Sequence, residues 1–104
     1  MTEYESMAEK LKDEIGLLER HIGMLKMIKT YQPIGIIRLA EELGIPKHKV
    51  RYSLRLLEKE GLIQPSRGGA MVAEGYDDYM EYMHECLEEM VDQIRSLISQ
   101  IPKG

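Results

Sequence analysis

Residues 35–72 read GIIRLAEELGIPKHKVRYSLRLLEKEGLIQPSRGGAMV, and the changes of period within them decide the fold. Residues 34–43 read as a short helix, with Ile36, Ile37, Ala40 and Leu43 inward and Arg38, Glu41 and Glu42 outward. Gly44 suits the left-handed position just past a helix end. Ile45 reads as a buried plug in the turn, and Pro46 suits the first position of the next helix. Residues 47–60 form that helix. Val50, Leu54 and Leu57 make one apolar stripe, with Leu56 at its border. The remaining positions are Lys47, His48, Lys49, Arg51, Tyr52, Ser53, Arg55 and Lys59. Gly61 closes the helix. Residues 62–64 and 70–72 read as two short strands, and 65–69 between them carry hairpin turn chemistry with one charge, Arg67, at the tip.

Long helical patterns flank this stretch. Before it, apolar or small residues recur at Tyr4, Ala8, Leu11, Ile15, Leu18, Ile22 and Leu25, alternating steps of four and three. Thr2 and Glu5 have the spacing of a capping box. Leu17, Met24, Met27 and Ile28 widen the apolar face towards Thr30, where the helix should enter the core. Tyr31-Gln32-Pro33 breaks it. Gly16 and Gly23 lie seven apart on one face, which suits either close helix approach or local tolerance. After the central stretch, from about Glu74, Tyr76, Met80, Met83, Leu87, Met90, Ile94, Leu97 and Ile101 keep the same alternation without a failure. Asp77 and Asp78 fall in the first turn of this last helix, where negative charge complements the helix dipole. A seam of about 26 residues spans nearly 40 Å at 1.5 Å per residue, longer than one face of so small a core. Part of it needs a partner, and a homodimer is expected. Its interface would be built from Leu11, Ile15, Leu18 and Ile22 of the first helix and Met80, Met83, Leu87, Met90, Ile94, Leu97 and Ile101 of the last, in the manner of a coiled coil.

The chain of 104 residues fits one domain, 1–104, made of an N-terminal helix (1–30), the central stretch (34–72) and a C-terminal helix (74–101). With no Trp and no Phe, its core must come mainly from Leu, Ile and Met. Cys86 is the only cysteine, so no intrachain disulfide forms. No stretch has the run of about 20 apolar residues that crosses a bilayer, and the acidic start MTEYESMAEK lacks a signal peptide's apolar core. The expected location is the cytoplasm. The net charge of −4 is unevenly spread. Residues 44–70 hold six basic and two acidic side chains, whereas residues 71–104 hold two basic and eight acidic. Surface fields are confined to about 8–10 Å at physiological salt, so the local excess decides what each face attracts.

The run LAEELGIPKHKVRYSLRLLEKEGLI (residues 39–63) resembles the winged helix-turn-helix of transcriptional regulators. Leu39 to Ile45 match L-A-x-x-L-G-I, and Val50 to Ile63 match V-x-x-x-L-x-x-L-x-x-x-G-L-I. The likeness is to the small MarR-like and ArsR-like regulators of archaea and bacteria, and it covers residues 34–72. It implies a mainly α fold with a small β-wing, in which long N- and C-terminal helices form the dimer. It also implies sequence-specific binding of double-stranded DNA by a transcriptional regulator. A helix of this kind enters the major groove with its N-terminal residues at the base edges. The candidate DNA-binding residues are therefore Lys47, His48, Lys49, Arg51, Tyr52, Arg55, Lys59 and, on the wing, Arg67. Arg51 and Arg55 suit base or phosphate contact, and Lys47, Lys49 and Lys59 suit phosphate anchoring. The chain departs from the family at Gly35 and Pro46, where Ser or Thr caps often touch phosphate.

A second reading is a winged-helix protein–protein module of a transcription complex, without direct DNA readout, that docks through its acidic last helix. No P-loop, GxSxG or HExxH is present, so no enzyme activity is expected. His84 and Cys86 lie about 200° apart on a helix, and without a CxC or a second cysteine no dedicated metal site is expected. No cofactor is expected either, and Cys86 reads as a boundary residue of the seam. His21 reads as a surface residue. A small-molecule effector between the helices is left open and unidentified.

Overall fold

A computed structural model describes residues 3–103, with side chains from Ser6 to Lys103. The chain is mainly helical with one small antiparallel sheet: α1 (Glu3–Tyr31), α2 (Ile36–Leu43), α3 (Lys47–Lys59), β1 (Ile63–Ser66), β2 (Gly69–Val72) and α4 (Tyr76–Gln100). Contacts divide it into two compact units, Met1–Ala73 and Glu74–Gly104. The capping box expected of Thr2 and Glu5 lies outside the described residues and side chains, as does the Tyr4 side chain.

The core of the first unit begins at the end of α1. Met24, Leu25 and Ile28 are fully buried, and the core is completed by Leu39 and Ala40 of α2, Val50 and Leu57 of α3, Ile63 of β1, and Ile34 and Leu62 of the connecting segments. It is built from aliphatic side chains and one methionine, as a chain without Phe or Trp requires. Burial along the first seam is graded. Leu25 is wholly enclosed, Leu18 and Ile22 are half-buried, and Ile15 and Leu11 are 53% and 66% exposed. Only the last third of the helix therefore serves the core.

The turn between α2 and α3 follows from Gly44. Its left-handed conformation (φ 67°) aims the amides of Gly44 and Ile45 back at the Ala40 carbonyl, which closes α2. Ile45 is half-buried rather than enclosed. Pro46 precedes α3 as its cap instead of filling the first turn, and its carbonyl accepts from the Lys49 and Val50 amides. One inward and one outward assignment also change. Ile37 is 60% exposed and Leu39 takes its place in the core, while Ser53, expected outward, is fully buried. Ser53, Val50 and Leu57 form the enclosed side of α3, with Leu54 and Leu56 half-buried at its two borders.

The hairpin is longer than its sequence suggests. Residues Ile63, Gln64, Pro65 and Ser66 pair with Val72, Met71, Ala70 and Gly69, which leaves only Arg67 and Gly68 in the turn. Ile34 is not helical. It forms an antiparallel bridge with Ala70, its amide donating at 3.1 Å and its carbonyl accepting at 2.8 Å. Ala70 thus turns its main-chain groups away from β1, so Pro65 opposite loses no ladder bond by lacking an N–H. The Gln32 side chain accepts from the Val72 amide at 2.9 Å and extends the same attachment. Gly69 makes it sterically possible. Its φ is +129°, and a Cβ there would stand 2.4 Å from the Ile34 carbonyl.

The second unit is α4. Asp77 and Asp78 occupy its first turn, and none of its side chains is buried. Met90, Val91, Ile94, Leu97, Ile98 and Ile101 are exposed along its last three turns. No helix among the described residues is long and apolar enough to cross a membrane.

Two glycines should respond oppositely to alanine. Gly69→Ala must displace the Ile34 main chain and should destabilise the protein by more than about 2 kcal/mol. A Cβ at Gly16 meets nothing within 4 Å, so Gly16→Ala should stabilise by up to about 1 kcal/mol. Urea unfolding of the two variants beside the parent checks both signs.

Candidate nucleic-acid interface

The outward face of α3 is fixed by its inward face. With Val50, Ser53 and Leu57 enclosed, a repeat of about 100° per residue places Lys47, Arg51, Arg55, His48, Lys59 and Tyr52 within an arc of about 140°. All six are exposed. Lys49 is exposed as well but lies about 60° beyond Tyr52, on the Leu56 flank. It is the one α3 candidate that the arc leaves out. Glu58 falls inside the arc near Lys47 and Arg51, and the other carboxylate, Glu60, caps the far end. Among the described residues, none of the basic side chains of α3 or the hairpin is held in an ion pair.

Arg67 stands across an open groove from this face. The groove, of about 970 Å³, runs between α2, α3 and the hairpin. Lys47, Arg51 and Arg67 line it, and so does Arg38 of α2, which the sequence pattern placed outward without assigning it a role. The guanidinium of Arg38 lies 4.7 Å from the centroid of the Tyr31 ring. Ile36, Ile37, Leu54 and Pro65 provide apolar wall, and Glu41 and Glu58 are the opposing carboxylates. The groove thus gathers four cations against two anions, from three consecutive elements of the chain. The signal for Arg38 was its outward position, but its nearness to Arg67 depends on the Ile34–Ala70 bridge.

Beneath α3, the Arg20 Nε donates to the Ser53 hydroxyl at 2.8 Å, 33 residues away in sequence. This ties α3 to α1 at Ser53, the one buried polar side chain among the described residues. His21 beside it is not the surface residue expected. It is half-buried, and its Nε2 is enclosed without a hydrogen-bond partner. Burial, helped by the Arg20 charge and opposed by Glu60, holds the imidazole below its ordinary pKa. On α4, His84 Nδ1 and Glu88 form a one-turn pair at 2.9 Å, both exposed.

Of the dimer candidates, Leu11, Ile15, Met90, Ile94, Leu97 and Ile101 are exposed, whereas Leu18 and Ile22 are half-buried. These exposed residues belong to the first half of α1 and the second half of α4.

The sign of the pH effect follows from His21. The unfolded chain binds its proton near pH 6.5 and the folded chain only at lower pH. Stability should therefore be undiminished above about pH 6.5 and fall as the pH drops through that value. Urea unfolding from about pH 7.5 to about pH 5.5 should show this loss in the parent and a flatter profile in His21→Gln. Compared with known proteins, the chain matches no family model and no curated sequence.

Proposed function

We propose that the protein is a transcriptional regulator of the winged helix-turn-helix kind, binding double-stranded DNA as a homodimer. In this reading α2 and α3 are the helix-turn-helix, α3 is the recognition helix and the β1–β2 hairpin is the wing. One observation carries it. The exposed arc of α3 presents Lys47, His48, Arg51, Tyr52, Arg55 and Lys59 with Glu58 as the lone carboxylate among them, and Arg67 faces that arc across the groove. A helix fits the major groove of B-DNA. Arg51 and Arg55 are then placed for base edges or phosphates, and Lys47 and Lys59 for phosphates. Lys49 serves a phosphate at the flank. Arg67 reaches the neighbouring minor groove or its phosphates.

The dimer supplies the second half-site. Its helices would use the exposed apolar stripes at Leu11 and Ile15 and at Met90, Ile94, Leu97 and Ile101, with Leu18, Ile22, Met80, Met83 and Leu87 continuing the seams. Two-fold symmetry would then set the two recognition helices about 34 Å apart, one turn of DNA. The acidic positions of α4 would be directed away from the duplex.

A second reading has its own support. The eight acidic groups after residue 70 and the uncovered apolar stripe of α4 suit a winged-helix module that docks on protein and does not read DNA.

The test is a salt titration of binding to random duplex DNA, with solution mass recorded alongside. A dimer should lose affinity with a slope of about 0.9 in log K per log salt for each phosphate neutralised. Arg51→Ala and Arg55→Ala should each weaken binding by about 1–3 kcal/mol and keep both helicity and mass. Parental affinity in both variants would refute the assignment of α3. A folded dimer that ignores DNA at low salt would favour the protein-docking reading.

A further inference from the structure

Four cations line the groove, and the DNA-binding reading employs three of them: Lys47, Arg51 and Arg67. Arg38 is the fourth. Its side chain is exposed, and its guanidinium stands 4.7 Å from the centre of the Tyr31 ring, the last residue of α1. Stacking of this kind has two consequences. It restricts a long side chain before any ligand arrives, and so lowers the ordering entropy of a later contact. It also occupies the face of the guanidinium and leaves the N–H edge free to donate. Among the described residues no carboxylate is paired with Arg38. Glu41, less than one turn further along α2, lines the same groove, so an arriving anion must approach from the side of Lys47, Arg51 and Arg67. Ile37 and Pro65, both exposed in the groove wall, offer apolar surface that suits a deoxyribose rather than a second charge.

We propose that Arg38, positioned by Tyr31, is a further phosphate anchor, holding the sugar–phosphate strand from the α2 side while α3 meets the base edges. The assignment rests on the DNA-binding reading and adds one contact to it. The contact carries charge and orientation but no base information. Tyr31 touches no nucleotide and acts only through Arg38.

Binding to a random-sequence duplex is followed by fluorescence anisotropy across a salt series, with circular dichroism on every variant. Arg38→Ala should lower the salt slope by about 0.9 for each subunit, about 1.8 for the dimer, and weaken low-salt binding by about fivefold or more, while Arg38→Lys keeps the slope. Tyr31→Leu should keep the slope and lose about two- to fivefold in affinity, because the charge remains and only its platform is gone. An unchanged slope in Arg38→Ala, while Arg51→Ala weakens binding, overturns the anchor and leaves the regulator reading standing. A parent without salt-dependent binding overturns both. Parental affinity in Tyr31→Leu overturns the positioning role of the ring.

Discussion

The hairpin hangs on two main-chain hydrogen bonds between Ile34 and Ala70, and those bonds require that residue 69 have no side chain. An isolated two-stranded hairpin is marginal in water. Here it gains a third row of pairing from the segment that enters α2, and a side-chain bond from Gln32 at the end of α1. The same contact that secures the hairpin also aims it. Arg67 is placed opposite α3 because the segment before α2 and the second strand share a bridge. If the bridge is lost, the groove loses one wall, even though every residue of α2 and α3 stays where it is.

The rotation of α3 is the second constraint. Val50 and Leu57 each contribute about 1.5–3 kcal/mol by burial. The charge-assisted bond from Arg20 to Ser53 adds about 1.5–3 kcal/mol, and breaking it would leave a buried hydroxyl unsatisfied. Turning α3 by one residue, about 100°, would expose these groups and bury a cation in their place. No exposed contact on the outer face could offset that. The chemical surface of α3 is therefore set from beneath, by the buried Ser53 and by the Arg20 that bonds it from α1.

Much of this was legible in the sequence, because periodicity reports which face of a regular element is apolar. The bounds of α3, the glycine that ends α2 and the merging of α1 into the core all follow from spacing. The failures are of two physical kinds. In α2, eight residues long, two turns give too few repeats to separate Ile37 from Leu39, since both are apolar and only tertiary packing chooses between them. Ser53 and His21 fail for another reason. A polar residue on a helix reads as solvent-facing until its partner or its neighbours are known, and Arg20 is 33 positions away from Ser53. Ile34 belongs to the same class, because its bridge partner lies beyond two helices. Arg38 was read correctly as outward, but an outward arginine becomes part of a site only when the hairpin is brought beside it.

The graded seam of α1 bears on why the helices are longer than the core needs. Burial is complete at Leu25 and has faded by Ile15, ten residues earlier. The apolar alternation does not fade with it: Leu11 and Ile15 keep the register of Leu25 without sharing its surroundings. α4 continues its alternation through Ile101 with no buried side chain at all. Helices in water draw most of their stability from packing of an apolar face, not from propensity. A solvated face tolerates polar residues at such positions, so a seam maintained for three turns in the open is hard to account for by solubility or helix propensity. Covering it with the same seam of a second copy would satisfy both. The stripe is continuous, and its acidic residues Glu85, Glu88, Glu89 and Asp92 fall between the apolar positions of the seam and not on them. In the proposed homodimer the length of the helices and the smallness of the core would be one fact: the core would be sized to hold α3, and the remainder of each seam for the second copy.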